Sequence, residues 1–326
     1  MFTISRQLAG TKINVMKRRN FLGALGTSAL AVSTLSFTTN AAPNAPKNRL
    51  FRIVHLTDMH IFESEKVARG IKQLLKEIHQ LEDKPDFVLN TGDNIMDALK
   101  HSKEEVEQQW DAWTRYYKNE LQYPLYNCIG NHDVWGWGLK EQPIQDDPLY
   151  GKAWALKMLE LKNRYYSFEH KGWKFIILDS PASVNEGSYT ARLDDEQFMW
   201  LASELENTAS STPVCIVSHI PILSASVFYD GDNLKDGNWQ VPGAWMHTDS
   251  KKIKDLFYKH KNVKAALSGH IHLADKTEYL GVQYHCNGAA CGGWWDGNYQ
   301  EFGPAYAIID FYANGDIITN LKEYKF

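Results

Sequence analysis

Five short clusters of polar residues in this chain have side chains that could bind a metal ion. They are Asp58-Met59-His60, Gly92-Asp93-Asn94, Gly130-Asn131-His132-Asp133, Ser218-His219 and Gly269-His270-Ile271-His272. Carboxylate oxygens, amide oxygens and imidazole nitrogens can all donate a lone pair to a cation. This mixture suits manganese, iron or zinc better than magnesium, which prefers all-oxygen surroundings. The clusters therefore indicate metal-dependent chemistry.

Each cluster also has a structural interpretation when it is considered alone. Asp58 could cap a helix, and Gly92-Asp93-Asn94 is an ordinary turn sequence. His219, two residues before Pro221, could be a hydrogen-bonded histidine of the core. If every structural interpretation held, the core would have to satisfy five separate sets of polar groups one by one. A single shared metal site accounts for all five together.

The elements that must position these clusters alternate between strands and helices. Buried strands are predicted at residues 52–57, 86–90 and 124–129. Amphipathic helices are predicted to begin near Glu65 and Glu104, between those strands. This order predicts a mixed α/β fold with parallel strands in its sheet.

The clusters lie where predicted strands end. Five strands matter here: the three above and two more, predicted at residues 213–217 and 263–267. The first residues that could bind a metal at or just beyond the ends of these strands are Asp58, Asp93, Asn131, His219 and His270. Ligands of open α/β sheets collect at the carboxyl ends of the strands. Side-chain alternation along a strand also places Asp58 with His60, and His270 with His272, on one face. The sequence thus predicts one site at one edge of a sheet.

The second half of the chain is predicted to add hairpins, helices and one long loop. Hairpins are predicted at residues 165–179 and 305–324, helices at 193–206 and 249–260, and strands at 213–217 and 263–267. Residues 222–247 lack periodicity, which is typical of a lid, a binding loop or a disordered segment. No internal linker is evident, so residues 46–326 are predicted to form a single domain.

Composition limits the classes of partner. The 326 residues carry a formal net charge of -4, so no global basic field attracts nucleic acid. Four cysteines are too few and too scattered for a disulfide scaffold. Whether Cys286 and Cys291 pair is left open, as is the oligomeric state.

Residues 1–45 are predicted to be an export signal and a short linker. Lys17-Arg18-Arg19-Asn20-Phe21-Leu22 opens an apolar run of small residues that extends to Phe37. Paired arginines before such a run resemble a bacterial twin-arginine signal. The run is short and soft for a membrane span, although an uncleaved anchoring helix is the alternative. We therefore expect a periplasmic or cell-envelope protein with no stable membrane span in its mature chain.

The five clusters match, in order, the five motifs of the calcineurin-like metallophosphoesterases, and the match extends over about residues 51–275. The resemblance implies a two-sheet αββα sandwich with two metal ions at the sheet ends. It also implies hydrolysis of a phosphoester bond by in-line attack of a metal-bridging hydroxide. The ions would be divalent or of mixed valence, with manganese, iron or zinc as candidates.

The resemblance also implies a role for individual residues. One ion would be held by Asp58, His60, Asp93 and His272. The other would be held by Asp93, Asn131, His219 and His270, so that Asp93 bridges the two. His132 falls on the proton donor of the family. Purple acid phosphatases have a different residue at the position of His60, so the resemblance favours the branch of the family that is not purple. Asp97 lies near the carboxylate that usually orients the donor, and its role is left open.

Tryptophans close to the motifs suggest how an organic group could bind. Trp135 and Trp295 are predicted substrate contacts, and Trp137 and Trp294 lie beside them. Core packing is the alternative for each ring. Stacking would favour a phosphodiester or nucleotide-like substrate over a small phosphomonoester. A phosphomonoesterase, a nuclease and a non-catalytic metal-binding scaffold are the competing hypotheses.

Overall fold

The computed structural model describes residues 48–139, 144–184 and 187–326. One sheet has the strand order β15-β14-β1-β2-β3. Its strands are β1 (Arg49–Leu56), β2 (Phe87–Asn90), β3 (Leu125–Asn127), β14 (Ala305–Tyr312) and β15 (Ile317–Glu323). The strands β1, β2 and β3 are parallel, whereas β14 and β15 are antiparallel additions. The predicted export signal lies outside the described residues, and the domain boundary near residue 45 stays a prediction.

The second sheet has the strand order β12-β13-β11-β8-β5-β4. Its strands are β4 (Tyr166–His170), β5 (Trp173–Ile177), β8 (Val214–Val217), β11 (Val263–Ser268), β12 (Asp275–Tyr279) and β13 (Val282–Cys286). The four inner strands are parallel, and each edge strand pairs antiparallel with its neighbour. Two small hairpins complete the strands: β6 (Pro181–Val184) with β7 (Ser188–Ala191), and β9 (Leu234–Lys235) with β10 (Asn238–Trp239).

Helices cover the outer faces of the two sheets. They are α1 (Glu65–Gln80), α2 (Lys103–Trp113), α3 (Ala153–Met158), α4 (Asp195–Glu206) and α5 (Ser250–Lys259). A π-helical turn at Thr114–Lys118 extends α2, and Ser102 with Glu105 forms a capping box at its start. α1 buries Val67, Ile71 and Leu74, as the helical spacing predicts.

Side-chain alternation along the strands separates the core into layers. Ile53 packs between the two sheets, whereas its neighbour Val54 packs against α1. In the second sheet Ile177 faces the layer between the sheets, and Ile176 faces α4 and α5. This period of two produces a helix–sheet–sheet–helix sandwich and confirms the predicted mixed α/β fold.

Element types agree with the sequence-based predictions, and most bounds differ by one to three residues. Helix α3 and the hairpin β6–β7 were not predicted. A further difference concerns residues 222–247, which were predicted to lack regular structure. They contain the hairpin β9–β10 and a 3₁₀ turn at Ser226–Phe228. Among the described residues, none of the helices combines the length and apolarity that a membrane crossing requires.

Candidate metal centre

The metal-competent residues lie in tight turns just beyond the strands. β1 ends at Leu56 and β11 ends at Ser268, so neither predicted ligand pair lies in a strand. Left-handed backbone angles occur at Asp58 (φ 52°), His60 (43°), Asp93 (52°), His270 (75°) and His272 (60°). Such angles are uncommon and costly for residues with a β-carbon, and they concentrate at functional sites.

Strand alternation was therefore the wrong reason for pairing Asp58 with His60 and His270 with His272. Both members of each pair do point into one site, but left-handed turns bring them there. Backbone hydrogen bonds between turns hold this geometry, because the Asp58 and His60 amides donate to the carbonyls of Gly92 and Asp93. The two turns are thus built as one unit.

Glycines of the motifs permit this close approach. A β-carbon at Gly130 would lie 2.1 Å from Asp93 Oδ1 and 2.2 Å from the Asp93 amide nitrogen. A β-carbon at Gly269 would lie 1.8 Å from Thr57 Oγ1 and 2.4 Å from Asp58 Oδ2. No side chain fits at these distances, so the glycines are needed to bring the turns together.

One group of candidate ligands forms around His60. His60 Nε2 lies 3.1 Å from His272 Nε2, 3.9 Å from Asp58 Oδ1 and 3.7 Å from Asp93 Oδ2. His272 Nε2 lies 3.5 Å from Asp58 Oδ1. All four side chains are buried. This is the set that the family resemblance implied for the first ion.

The second group forms around His219. His219 Nε2 lies 2.9 Å from Asn131 Oδ1, 3.2 Å from Asp93 Oδ2 and 3.2 Å from His270 Nδ1. Asp93 Oδ2 is therefore the atom that faces both groups. The structure brings together all seven residues predicted as metal ligands.

Backbone carbonyls orient three of the four imidazole rings. Nδ1 faces a carbonyl oxygen in each: His60 with Met96 (3.2 Å), His219 with Thr91 (2.9 Å) and His272 with Gly292 (2.7 Å). A neutral ring that donates Nδ1–H to such a carbonyl keeps the Nε2 lone pair free. In all three rings Nε2 is the nitrogen directed into the site.

The donor atoms fit divalent metal ions. Asp58 Oδ1 is buried and has no hydrogen-bond partner, although it lies beside two histidine nitrogens. With both Nδ1 atoms donating to carbonyls, His60 Nε2 and His272 Nε2 face each other with lone pairs. A buried oxygen and two lone pairs directed at one point are costly unless a cation lies between them.

Charge in the site also favours cations. Burial lowers the pKa of His60 and of His270 well below 6.5, so both rings are neutral. Burial opposes the charged form of His219 too, but the Asp93 carboxylate outweighs it and raises the pKa of His219 to about 9. The negative charge of Asp93 therefore attracts a proton or a metal ion.

His132 lies at the edge of the site and is separate from the seven ligands. Its amide donates to Asp93 Oδ1 (2.8 Å), and its ring packs edge-on against His60 with centroids 4.8 Å apart. Asp97 Oδ1 lies 3.4 Å from His132 Nδ1. Although burial acts against it, the carboxylates of Asp93 and Asp97 raise the pKa of His132 to about 9. The Asp97 carboxylate is thus the neighbour of His132 Nδ1, which makes no hydrogen bond to any described residue.

Asp133 has a role that the sequence did not reveal. Its carboxylate accepts hydrogen bonds from the amide of Gly130 (2.8 Å) and from the amide (2.8 Å) and side chain (3.0 Å) of Asn94. It therefore ties the Gly92-Asp93-Asn94 turn to the Gly130-Asn131 turn. The available signal was a carboxylate directly after His132 with no ligand role assigned to it.

Two predicted substrate contacts are wrong. Trp135 is 3% exposed, packs edge-on against Trp154, and donates its indole N–H to the His101 carbonyl. Trp295 is 1% exposed, and its indole N–H donates to the carbonyls of Met59 and His60. Both rings belong to the core, so neither face is free to stack on a substrate.

Other aromatic rings do reach the site. Trp294 is 39% exposed and stacks on His272 with centroids 4.4 Å apart. Tyr189, on β7, meets His270 edge-on at 6.2 Å. Tyr189 was missed because its hairpin is distant in sequence from every motif. The rings therefore border the site from the His272 side and the His270 side.

The cysteines are unpaired thiols. Cys286 Sγ contacts the Gly269 carbonyl at 3.2 Å, whereas Cys291 Sγ lies 4.0 Å from His272 Nδ1. Ligand atoms of Cys291, His60 and His272 all lie within 4.8 Å of one another, so this thiol borders the His60 group. The possible pairing of Cys286 with Cys291 does not occur in this structure.

Comparison with known proteins agrees with this geometry. The family described as "Calcineurin-like phosphoesterase" matches residues 51–274. The chain belongs to this family and is a metallophosphoesterase, a hydrolase that acts on phosphoester bonds. The family resemblance drawn from the five motifs is confirmed.

Curated relatives include phosphodiesterases. The chain is 24% identical over 286 residues to the 3',5'-cyclic adenosine monophosphate phosphodiesterase CpdA of Haemophilus influenzae, covering 84% of this chain and 90% of that protein. It is also 24% identical to a probable glycerophosphodiester phosphodiesterase GpdQ of Arcobacter nitrofigilis, covering 69% of this chain and 73% of that protein. The names of these two relatives give different substrates.

A solved structure shares the fold. A dimetal phosphatase from Danio rerio aligns with a TM-score of 0.57 and 13% identity, covering 83% of this chain and 99% of that chain. At this identity the comparison supports the fold alone. The arrangement of two sheets between helices is thus shared with that dimetal phosphatase.

The glycine at residue 130 provides a test of the site. We predict that Gly130→Ala weakens metal binding by at least about tenfold, because its β-carbon displaces the Asp93 carboxylate. Gly288→Ala is the matched control, because its nearest neighbours would lie at 3.9 Å. Metal titration of both purified variants measures the effect. Equal affinity in the two variants would show that the Gly130 contact does not position Asp93.

Proposed function

We propose that this protein is an exported phosphodiesterase that uses two metal ions. The observation that carries the proposal is the position of Asp93 Oδ2, which faces His60 Nε2 at 3.7 Å and His219 Nε2 at 3.2 Å. One carboxylate oxygen shared by two groups of ligands suits two cations held side by side. The shared negative charge would reduce the repulsion between them.

The residues of each group have the donor types that manganese, iron or zinc accept. Asp58, His60, Asp93 and His272 would hold one ion. Asp93, Asn131, His219 and His270 would hold the other. Two bound ions supply a hydroxide nucleophile near neutral pH and neutralise charge on the phosphoryl oxygens.

His132 would act as the general acid of the reaction. It is adjacent in sequence to the ligand Asn131, and its ring lies at the edge of the His60 group. Asp97 Oδ1 lies 3.4 Å from His132 Nδ1, so this carboxylate would stabilise the protonated ring. A proton delivered to the departing oxygen offsets the negative charge that develops there.

A diester is favoured over a monoester by the relatives and by the borders of the site. Two curated relatives are named as diesterases, one for a cyclic nucleotide and one for glycerophosphodiesters. Trp294 and Tyr189 border the site on two sides, and these rings would contact the two organic groups of a bound diester. The slight negative net charge gives no support for a large nucleic acid substrate.

Hydrolysis of a matched ester pair tests the proposal. Protein stripped of metal with a chelator should not hydrolyse methyl p-nitrophenyl phosphate, and about two equivalents of Mn²⁺ per chain should restore activity. The kcat/KM for p-nitrophenyl phosphate should be at least about tenfold lower. Full activity in the stripped protein would refute metal catalysis. A preference for the monoester would favour the phosphomonoesterase hypothesis.

The role of His132 is tested by comparing diesters whose leaving groups differ in their need for a proton. Nitrophenolate is stable as an anion, whereas the alkoxide of glycerophosphoethanolamine needs a proton. His132→Asn should therefore lower kcat by about 10²–10⁴-fold on the alkyl diester, and clearly less on the nitrophenyl diester, with unchanged metal content. Asp97→Asn should cause a smaller loss in the same direction. An equal loss on both substrates would remove His132 as the acid.

Export is the part of the proposal that rests on residues 1–45. Its support is the arginine pair Arg18-Arg19 before an apolar run. The double substitution Arg18→Lys/Arg19→Lys should hold the precursor in the cytoplasm of a bacterial host, because the twin-arginine route reads both guanidinium groups. Cell fractionation and immunoblotting measure this, with Lys17→Arg as the control. Unchanged periplasmic delivery of the double variant would contradict the proposal.

A further inference from the structure

Trp294 presents a flat aromatic face beside the metal centre. One face of its indole stacks on His272, at 4.4 Å between centroids and 28° between planes. The ring is nevertheless 39% exposed, although large aromatic side chains usually bury most of their surface. This exposed part lies beside the metal centre, where a bound ligand could contact it.

Among the aromatic rings of the described residues, none lies on the second face of Trp294. Tyr299 lies 5.2 Å from Trp294 and 5.8 Å from His272, and is nearly perpendicular to both. His272 lies on the inner face of Trp294, so a ring on the outer face would be much farther from His272 than from Trp294. Tyr299 is almost equally far from both rings, and it therefore lies at the edge of the Trp294–His272 stack. His60 also lies beside it, at 6.1 Å from Trp294 and 5.0 Å from His272.

The loop that carries Trp294 is held firmly in place. Trp294 and Trp295 both have left-handed backbone angles, with φ of 50° and 71°. This conformation directs Trp295 into the core, where its indole N–H donates to the carbonyls of Met59 and His60 at 3.0 Å each. The Trp295 amide also donates to the Cys291 carbonyl at 2.9 Å. Strain at two adjacent residues, offset by these contacts, is typical of a positioned functional group.

We propose that the outer face of Trp294 is a platform on which a nucleobase stacks while the attached phosphoryl group lies at the metal centre. This inference rests on the proposed function, and it makes nucleotide-derived diesters the preferred substrate class. A base in van der Waals contact, about 3.5–4.0 Å above the indole, lies about 8 Å from the His272 ring. A ribose spans such a distance between its base and its phosphate.

The indole face of Trp294 determines which organic groups could bind to it. An indole face offers no hydrogen-bond pattern, so it accepts any base and discriminates against substrates that lack a flat ring. The Tyr299 hydroxyl is engaged, because it donates to Asp230 Oδ1 at 2.5 Å. This contact ties the Trp294 loop to residues 222–247, the long segment that the sequence marked as a lid or binding loop. The preference at this subsite is thus for aromatic shape.

Two inhibitors that differ only in the base test this inference. Adenosine 5'-monophosphate and ribose 5-phosphate are compared as competitive inhibitors of methyl p-nitrophenyl phosphate hydrolysis by the metal-loaded, full-length enzyme. In the unmodified protein the Ki of the nucleotide should be lower by about tenfold or more, the effect expected of one stacked base. Trp294→Ala should reduce that ratio to about one and change the Ki of ribose 5-phosphate less than twofold. Trp294→Phe should retain a several-fold preference.

Trp239→Ala is the matched control, because Trp239 is 57% exposed and packs on Phe228. It should keep the full preference for the nucleotide. Equal Ki values in the unmodified protein, or an unchanged ratio in Trp294→Ala, would overturn the platform. A parallel rise of both Ki values with loss of metal would also overturn it, because Trp294 would then only support His272. Failure to hydrolyse the reporter diester would instead refute the proposed function.

Discussion

The Asp93 carboxylate is the group on which the rest of the site depends. Oδ1 accepts the His132 amide, and Oδ2 faces the His60 group and the His219 group. Although burial opposes ionisation, His219 and then His132 hold the pKa of Asp93 well below 3.8. A fully ionised, buried carboxylate is costly without cations, so the protein has to bring positive charge to it.

The fold places the residues that could bind cations at the ends of parallel strands. β1, β2 and β3 end next to one another in the first sheet, and β8 and β11 end next to one another in the second. The turns that follow them converge because glycines allow backbone contact and Asp133 ties two of the turns together. Backbone carbonyls then fix three imidazole rings. The strain at Asp58, Asp93 and His270 is carried by this network.

Sequence reasoning could predict that the seven candidate ligands share one site because their types and order are specific, and it could predict the fold because apolar periodicity is strong. It could not predict backbone handedness. Left-handed turns replace the strand alternation expected for Asp58 with His60, and they send Trp294 and Trp295 in opposite directions. Two adjacent tryptophans look alike in a sequence, yet one is 39% exposed over His272 and the other is 1% exposed in the core. Tyr189 belongs to the β6–β7 hairpin, whose position beside His270 depends on tertiary packing.

Anomalous X-ray diffraction from crystals of the Mn²⁺-loaded protein tests the central claim most directly. Data collected at the manganese absorption edge locate each ion independently of activity. The account predicts two peaks about 3.5–4 Å apart, with Asp93 Oδ2 in contact with both. A single peak, or two peaks that share no ligand, would contradict a dinuclear centre built around Asp93.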